Sequence, residues 1–258
     1  MSYIQSIILG ITQALTEFLP VSSSAHLKIA KHFLGMEQEG VLLDLSCHLG
    51  TLIALLLFLR KDIYALLQKP KSLYLLFIAL IPLPPLYLLL KPLREWASNT
   101  HLLGLCLIGT SFILFAGQFF SLINAKKEKT PPKKAREALM IGAMQSVALI
   151  PGISRSASTI SCARVLGWNI KDAVRFSFLL SIPTVLGGNL LELLKAVTSA
   201  DIKANLPILP LLVAFTTSFF LGTLLVKKAI GWLEKGNLKP CAWYCLALGI
   251  TTTLYFNL

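Results

Sequence analysis

Two polar, proline-broken stretches interrupt an otherwise apolar chain, and they constrain its fold more than any other feature. The first covers residues 16–26, TEFLPVSSSAH, and the second covers residues 151–159, PGISRSAST. Irregular backbone at membrane depth is tolerated only where protein buries it or where it lines a water-filled cavity. Ionisable side chains in such places indicate a functional site. We therefore interpret the two stretches as halves of one site.

The composition is typical of a polytopic membrane protein. Hydrophobic residues make up 55% of the 258 residues and charged residues 14%, whereas a soluble domain has about 25% charged residues. The net charge of +12 lies mostly in short loops, without a basic face that carries aromatic residues, so we expect no nucleic-acid partner. The five cysteines form no CxxC pair and imply neither a zinc site nor a disulfide framework.

The apolar pattern predicts an all-α protein with six spanning helices and two re-entrant helix–loop–helix hairpins. The hairpins are predicted at 3–35 and 137–167, because neither side of each break is long enough to span. The spanning helices are predicted at 42–59, 73–90, 102–123, 173–194, 207–226 and 241–257. Pro82, Pro84 and Pro85 predict a break within the second of these spans.

The two halves of the chain resemble each other at an offset of 132 residues. Over positions 10–35 this offset aligns seven identical residues, including Gly10 with Gly142 and Gln13 with Gln145. Because the match coincides with the repeated hydropathy pattern, we interpret it as an internal duplication. The predicted units are a first repeat at 1–123, a cytoplasmic linker at 124–136 and a second repeat at 137–258.

The distribution of basic residues predicts the orientation in the membrane. Loop 124–136 carries five Lys and one Arg, so we place it in the cytoplasm. Loops 60–71 and 227–240 then lie on the same side with four basic residues each, and loops 91–101 and 195–206 lie outside with two each. Three spans separate the hairpins, so the repeats are predicted to be inverted. Inverted repeats place their site near the bilayer midplane.

Gln13 and Glu17 lie four residues apart and share one face of the first half-helix. Amide and carboxylate oxygens are ligands that Mg²⁺ and Ca²⁺ prefer. The alternative is a glutamate that reaches the membrane interface or pairs with a lysine. Near a proline break at membrane depth, we favour a metal site.

Ser22, Ser23 and Ser24 follow the first break, and His26 comes shortly after them. A serine beside a histidine can form a nucleophile–base pair. Serines also cap helices, and Ser23 or Ser24 could cap the helix that resumes near residue 25. Sequence adjacency leaves both interpretations open.

Arg155 lies in the second break, where a guanidinium group without an anion would be costly. The backbone N–H groups of the following helix predict an anion-binding nest, and arginine binds phosphate oxygens in bidentate fashion. Hydroxyl groups around it come from Ser154, Ser156, Ser158 and Thr159. The alternative is an ion pair with Glu17, and the two roles are compatible.

Gln145 and His48 are two further polar residues in apolar surroundings. Gln145 precedes the second break and is predicted to donate to the site, whereas His48 in its apolar run is interpreted as a hydrogen-bonded core histidine. A metal site, serines with a histidine, and an arginine in a hydroxyl-rich nest together suit attack on a phosphoryl group.

At these residues the chain resembles the undecaprenyl-diphosphate phosphatases, a family of bacitracin-resistance membrane proteins. The resemblance runs over most of the chain and is strongest at residues 13–23, QALTEFLPVSS, and 151–156, PGISRS. It implies removal of the terminal phosphate from undecaprenyl diphosphate, which recycles the lipid carrier of cell-wall synthesis. It also implies the bacterial cytoplasmic (inner) membrane, with the active site facing outside.

The resemblance assigns roles to individual residues. The acidic metal-binding motif falls on Gln13 and Glu17, the functional serine and histidine fall on Ser23 and His26, and the phosphate-binding arginine falls on Arg155. The expected substrate-binding residues are Ser22, Ser154, Ser156, Thr159 and Gln145. A divalent cation, Mg²⁺ or Ca²⁺, is the expected cofactor. Attack by Ser23 activated by His26, by His26 itself, or by water remains open.

The expected partners are the lipid substrate and membrane lipid. The sequence leaves open whether the chain forms a homodimer or stays a monomer. Inverted repeats and broken helices are also features of transporters, so a polyprenyl-phosphate flippase is the alternative function. A membrane scaffold without catalytic activity would leave Arg155 and Glu17 without a purpose. Release of free phosphate from a polyprenyl diphosphate by the purified protein distinguishes the enzyme from both alternatives.

Overall fold

The computed structural model describes residues 2–36, 41–97, 99–124, 134–198 and 207–257, and this part of the chain is helical without any strand. Most of the predicted linker 124–136 lies outside the described residues. The helices are, in chain order, α1 Tyr3–Thr16, α2 Ser23–Phe33, α3 Val41–Phe58, α4 Arg60–Leu67, α5 Pro70–Leu80, α6 Leu83–Leu89, α7 Lys91–Ala97, α8 Thr100–Asn124, α9 Ala135–Val147, α10 Arg155–Val165, α11 Ile170–Thr198, α12 Ile208–Leu233 and α13 Lys239–Asn257.

Apolar helices of membrane-spanning length dominate the fold, which confirms an all-α, multi-pass membrane protein. Five described segments are long and apolar enough to cross a bilayer, and each overlaps one of the predicted spans. They are Val41–Phe58, Pro70–Leu89, Thr100–Ile123, Ile170–Lys195 and Ile208–Leu233. The segment predicted at 241–257 forms α13, a helix of 19 residues that is not among the five. The count of six spans therefore stays a prediction.

The second span is broken where its prolines predict a break. Helix α5 ends at Leu80, and α6 begins at Leu83, one residue after Pro82. Proline has no N–H to donate and its ring clashes with the preceding turn, so it is accommodated at the start of a new helix. Pro84 lies within the first turn of α6, where the missing N–H would have no helical partner.

Helices α1 with α2, and α9 with α10, form two helical hairpins with the short–break–short pattern expected from the sequence. The bounds of α2 and α10 differ by 132 residues at both ends, which is the offset that aligns the two halves of the sequence. The breaks contain left-handed backbone, with φ of 69° at Ser22 and 96° at Gly152. The two tips touch, because the Ser156 hydroxyl donates to the Leu19 carbonyl at 3.4 Å.

Each hairpin packs against a spanning helix from the other half of the chain. Helix α1 packs against α12 of the second half, and α9 packs against α5 of the first half. Helix α3 likewise packs against α12, and α11 packs against α5. This packing is the one expected if two repeats interlock. The inverted orientation of the repeats stays a prediction.

Glycines at equivalent positions allow these close helix crossings. A Cβ atom added at Gly142 would lie 2.0 Å from the Ala79 carbonyl oxygen on α5. A Cβ atom added at Gly10 would lie 2.8 Å from the Thr217 Cβ on α12. Small residues let helix backbones approach closely in membranes, where packing contacts drive association. The hairpins are therefore fixed to the spanning helices by backbone contact.

We predict that Gly142→Ala destabilises the protein by about 1–3 kcal/mol, because the added methyl group meets backbone that has no room to move. Thermal unfolding of the purified protein in detergent measures the change. Gly109→Ala is the matched control, since nothing lies within 4 Å of a Cβ atom added there. Equal stability of the two variants would contradict the close crossing of α9 and α5.

Candidate active site

An ion pair between Glu17 and Arg155 joins the tips of the two hairpins. The Arg155 Nη2 donates to Glu17 Oε1 at 2.8 Å, and the side chains are only 22% and 10% exposed, respectively. The Arg155 Nη1 makes a longer contact of 3.4 Å to the Ser181 carbonyl oxygen. The structure thus contains the ion pair that the sequence offered as an alternative. The remaining guanidinium N–H groups keep the capacity to bind an anion.

The second carboxylate oxygen of Glu17, Oε2, accepts hydrogen bonds from two other side chains of the first hairpin. The Ser23 hydroxyl donates to Oε2 at 2.6 Å, and the Gln13 amide donates to the same oxygen at 3.0 Å. The Nδ1 atom of His48 lies 3.6 Å from it. The carboxylate of Glu17 is therefore bonded to a hydroxyl group, an amide and a guanidinium group at once.

His48 belongs to this cluster: it is hydrogen-bonded, as expected, but it is half-buried beside a cavity and not enclosed in the core. Its Nδ1 accepts from the Gln13 amide nitrogen at 2.7 Å, and Thr51 on the same face of α3 accepts from that nitrogen at 3.3 Å. The ring also lines the cavity beside Glu17. The one available signal was the spacing of His48 and Thr51, which places two polar groups on one face of an apolar helix.

The expected metal site is only partly provided by protein groups. Among the described residues, no group of three His, Cys, Asp or Glu side chains is placed to share a metal ion. The Gln13 Oε1 atom is, however, buried without a hydrogen-bond partner, on the same amide group whose nitrogen donates to Glu17. One carboxylate and one free amide oxygen fit a Mg²⁺ or Ca²⁺ ion that takes its other ligands from phosphate oxygens and water.

The serines of the first break do not cap α2. Ser22 occupies the cap position with left-handed backbone and makes no capping hydrogen bond through its side chain. Its hydroxyl instead lies 3.2 Å from that of Ser24. Ser23 is the first residue of α2 and points to Glu17. The capping alternative is therefore wrong for these serines.

The second break has the capping that the first lacks. The Ser154 hydroxyl accepts from the Ala157 N–H at 3.2 Å and lies 3.2 Å from the Ser156 hydroxyl. Thr159 turns away from the break, because its hydroxyl is shared with that of Ser177 at 2.6 Å. Of the residues expected to bind substrate, Ser22, Ser154 and Ser156 line the polar cavity, whereas Thr159 and Gln145 do not.

His26 does not pair with Ser23, contrary to one sequence hypothesis. Its Nδ1 donates to the Ser22 carbonyl at 2.8 Å, so the ring is held against the backbone one turn earlier. Its Nε2 therefore accepts from the Tyr244 hydroxyl at 2.8 Å, and the two rings stack at 5.6 Å. Both ring nitrogens of His26 are thus engaged away from the Ser23 hydroxyl. No sequence pattern indicated that Tyr244 belongs to the site.

A polar cavity of about 200 Å³ lies between the hairpin tips. It is lined by Thr16, Glu17, Leu19, Ser22, Ser23, Ser24, His48, Ala148, Ile153, Ser154, Arg155, Ser156, Val185, Gly188 and Asn189. Two larger apolar cavities flank it. The α9–α11 cavity, of about 480 Å³, is lined by α6, α9, α11 and Arg155. The α12–α13 cavity, of about 690 Å³, is lined by α1, His26, α12 and α13.

The fold and the site together define a polytopic helical membrane protein with a carboxylate–guanidinium centre, serine hydroxyls and apolar cavities beside it. Comparison with known proteins agrees with this class. The family model described as "Bacitracin resistance protein BacA" matches residues 6–251. The chain belongs to this family.

Curated relatives match the chain over nearly its whole length. An "Undecaprenyl-diphosphatase" of Protochlamydia amoebophila is 42% identical over 258 residues, covering 98% of each chain. A protein of the same name from Carboxydothermus hydrogenoformans is 37% identical over 97% of this chain and 96% of the relative. One from Geotalea daltonii is 35% identical over 100% of this chain and 99% of the relative.

We predict that Glu17→Gln and Arg155→Met each destabilise the protein by about 3–5 kcal/mol, because each leaves an uncompensated buried charge. The double variant should lose clearly less stability than the sum of the two single losses, since it removes both charges. Thermal unfolding in detergent of the unmodified chain, the two single variants and the double variant measures the coupling between the two charges. Single losses below about 1 kcal/mol, as for a surface pair, would contradict the burial of this pair.

Proposed function

We propose that this chain is an integral membrane phosphatase that hydrolyses undecaprenyl diphosphate to undecaprenyl phosphate and phosphate. Its family, and the printed names of relatives that share 35–42% identity, support this reaction. The observation that carries the proposal is the contact chain Ser23–Glu17–Arg155, with distances of 2.6 and 2.8 Å, on the wall of the polar cavity. It combines a nucleophile, a base and a phosphate-binding cation.

The geometry supports Ser23 as the nucleophile and Glu17 as its base. The Ser23 oxygen attacks the terminal phosphorus while its proton passes to Glu17 Oε2, 2.6 Å away. The bond between that phosphorus and the bridging oxygen breaks, and the lipid monophosphate leaves. Water then hydrolyses the phosphoserine and releases phosphate. The sequence hypothesis with Ser23 as the nucleophile had His26 as the base, whereas the 2.6 Å contact of the Ser23 hydroxyl supports Glu17 in that role.

Arg155 and the second hairpin neutralise the phosphate charge in this reaction. The guanidinium group lies at the first residue of α10, where the helix N-terminus also favours negative charge. Such preorganised positive groups stabilise the transition state of phosphoryl transfer. Gln13 Oε1 and Glu17 would hold a Mg²⁺ or Ca²⁺ ion, which would add charge neutralisation at the diphosphate.

The proposed location is the bacterial cytoplasmic membrane, with the polar cavity open to the outside. The excess of basic residues in loops 60–71, 124–136 and 227–240 supports this orientation. The product then serves as a recycled carrier for cell-wall synthesis, and its recycling accounts for bacitracin resistance in the family.

We predict that Ser23→Ala, Glu17→Gln and Arg155→Ala each lose phosphate release from undecaprenyl diphosphate in detergent, with kcat about 10²–10³-fold lower for the arginine variant. Ser146→Ala is the matched control, because this buried hydroxyl donates only to the Gly142 carbonyl of its own helix. Near-normal turnover in any two of the three variants would disprove the assignment. A flippase or scaffold would release no phosphate even as the unmodified chain.

His26 is proposed to act through the backbone. Its hydrogen bond to the Ser22 carbonyl holds the left-handed residue that directs Ser23 toward Glu17. We predict that His26→Ala lowers kcat more than tenfold with little change in KM, and that Ser22→Gly restores part of the loss, because glycine adopts this backbone without strain. Assays of the single and double variants measure this. No rescue, with loss of an ionisation from the pH profile, would instead indicate proton transfer by His26.

A further inference from the structure

Two amide side chains that line the cavities at Arg155 have buried atoms without a hydrogen-bond partner within the described part of the chain. Gln145 is 2% exposed, and neither its amide nitrogen nor its amide oxygen is bonded. The amide nitrogen of Asn189 is also buried and unbonded. Unpaired buried donors are costly and rare in native proteins, so each calls for an explanation. A ligand that accepts hydrogen bonds would provide one.

These amides lie where two cavities meet. Gln145 lines the α9–α11 cavity, Asn189 lines the polar cavity, and Arg155 lines both. The two cavities also share Val185 and Gly188 of α11. Arg155 therefore marks a junction that has an apolar cavity with Gln145 on one side and the polar cavity with Asn189 on the other.

The order of groups in the substrate matches this arrangement. A lipid diphosphate consists of an apolar tail, a phosphate that stays on the lipid and a terminal phosphate, in that order. With the terminal phosphate beside Ser23 and the tail in the α9–α11 cavity, the retained phosphate has to lie at the junction. The unbonded amide donors and the free guanidinium N–H groups of Arg155 are there to meet its oxygens.

The α12–α13 cavity fits this order less well, although it is larger. The residues that it shares with the polar cavity are Thr16 and Leu19. The Thr16 hydroxyl is already donated to the Thr12 carbonyl at 2.7 Å, and Leu19 has an apolar side chain. A retained phosphate at that boundary would meet neither a cation nor a free donor from the shared residues.

We propose that Gln145 and Asn189, with Arg155, form a binding subsite for the phosphate that remains on the lipid, and that the tail lies in the α9–α11 cavity. The proposal rests on the proposed phosphatase function. In this subsite two neutral donors and one cation recognise a phosphate ester attached to a hydrocarbon chain. The subsite would make the protein selective for lipid-linked phosphate over inorganic phosphate.

Gln145→Leu and Asn189→Leu test the subsite, because leucine keeps the approximate shape and removes the donors. The KM for undecaprenyl diphosphate and the inhibition constant of undecaprenyl monophosphate should each rise about ten- to a hundredfold, as expected for hydrogen bonds to a charged group. The kcat and the inhibition constant of inorganic phosphate should change less than threefold. Gln145→Leu should not lower thermal stability, since it removes an unpaired buried group.

Gln118→Leu is the control for loss of a buried amide. Its side chain is buried like that of Gln145, but its oxygen accepts from the Leu238 N–H at 2.7 Å, so the variant should lose stability at unchanged KM. Unchanged KM in both test variants would overturn the subsite. So would an equal rise in the inhibition constants of inorganic phosphate and lipid monophosphate, or a fall in kcat at constant KM.

The tail position is tested by filling each cavity. Gly187→Phe fills the α9–α11 cavity, where nothing lies within 4 Å of an added Cβ atom, and Leu225→Phe enlarges a side chain in the α12–α13 cavity. A rise of KM of about tenfold is expected in the first variant and not in the second. The opposite result would place the tail in the α12–α13 cavity and overturn the proposal.

A binding measurement separates this proposal from the proposed function. Thermal stabilisation of the purified chain by undecaprenyl monophosphate needs no turnover. If the unmodified chain releases no phosphate, the phosphatase assignment fails, but the subsite proposal does not fail with it. Loss of the stabilisation in Gln145→Leu and Asn189→Leu, with its retention in Gln118→Leu, would still support the subsite. Equal stabilisation of all three variants would overturn it.

Discussion

The ion pair between Glu17 and Arg155 is the interaction on which the rest of the site depends. A carboxylate or a guanidinium group alone at membrane depth is costly, and each becomes tolerable only with a partner of opposite charge. The two residues are 138 positions apart in sequence and meet at 2.8 Å. The pair therefore holds the two hairpin tips together. It also leaves one carboxylate oxygen and several guanidinium N–H groups for other partners.

The broken hairpins place two helix N-termini beside this ion pair. Helix α2 begins at Ser23 and α10 begins at Arg155, and both residues line the polar cavity. The N-terminus of a helix carries a partial positive charge and unpaired N–H groups. Two such ends at one cavity favour a ligand with more than one negative charge. A continuous helix through either break would bury these groups in its own hydrogen bonds.

Local sequence patterns predicted the helices and breaks, because hydropathy and proline act over a few residues. The breaks within the two hairpins, and the break between α5 and α6, follow from such signals. The hydrogen-bond partners of His26 and His48 do not follow from local signals. One hypothesis paired His26 with Ser23 because they are close in sequence, yet its partner Tyr244 is 218 residues away. Side-chain partners across helices depend on packing, which a single sequence does not display.

The predicted internal duplication would give a physical reason for the different chemical groups at the two hairpin tips. At the offset of 132 residues, Gln13 corresponds to Gln145, Ser23 to Arg155 and Glu17 to Leu149. If the halves arose from one hairpin, the equivalent positions at the two tips have come to hold unlike groups that attract each other. Two acidic tips facing one cavity would repel each other and a phosphate, and two basic tips would lack a base. A working site from two copies therefore requires that the copies differ at the positions where they meet.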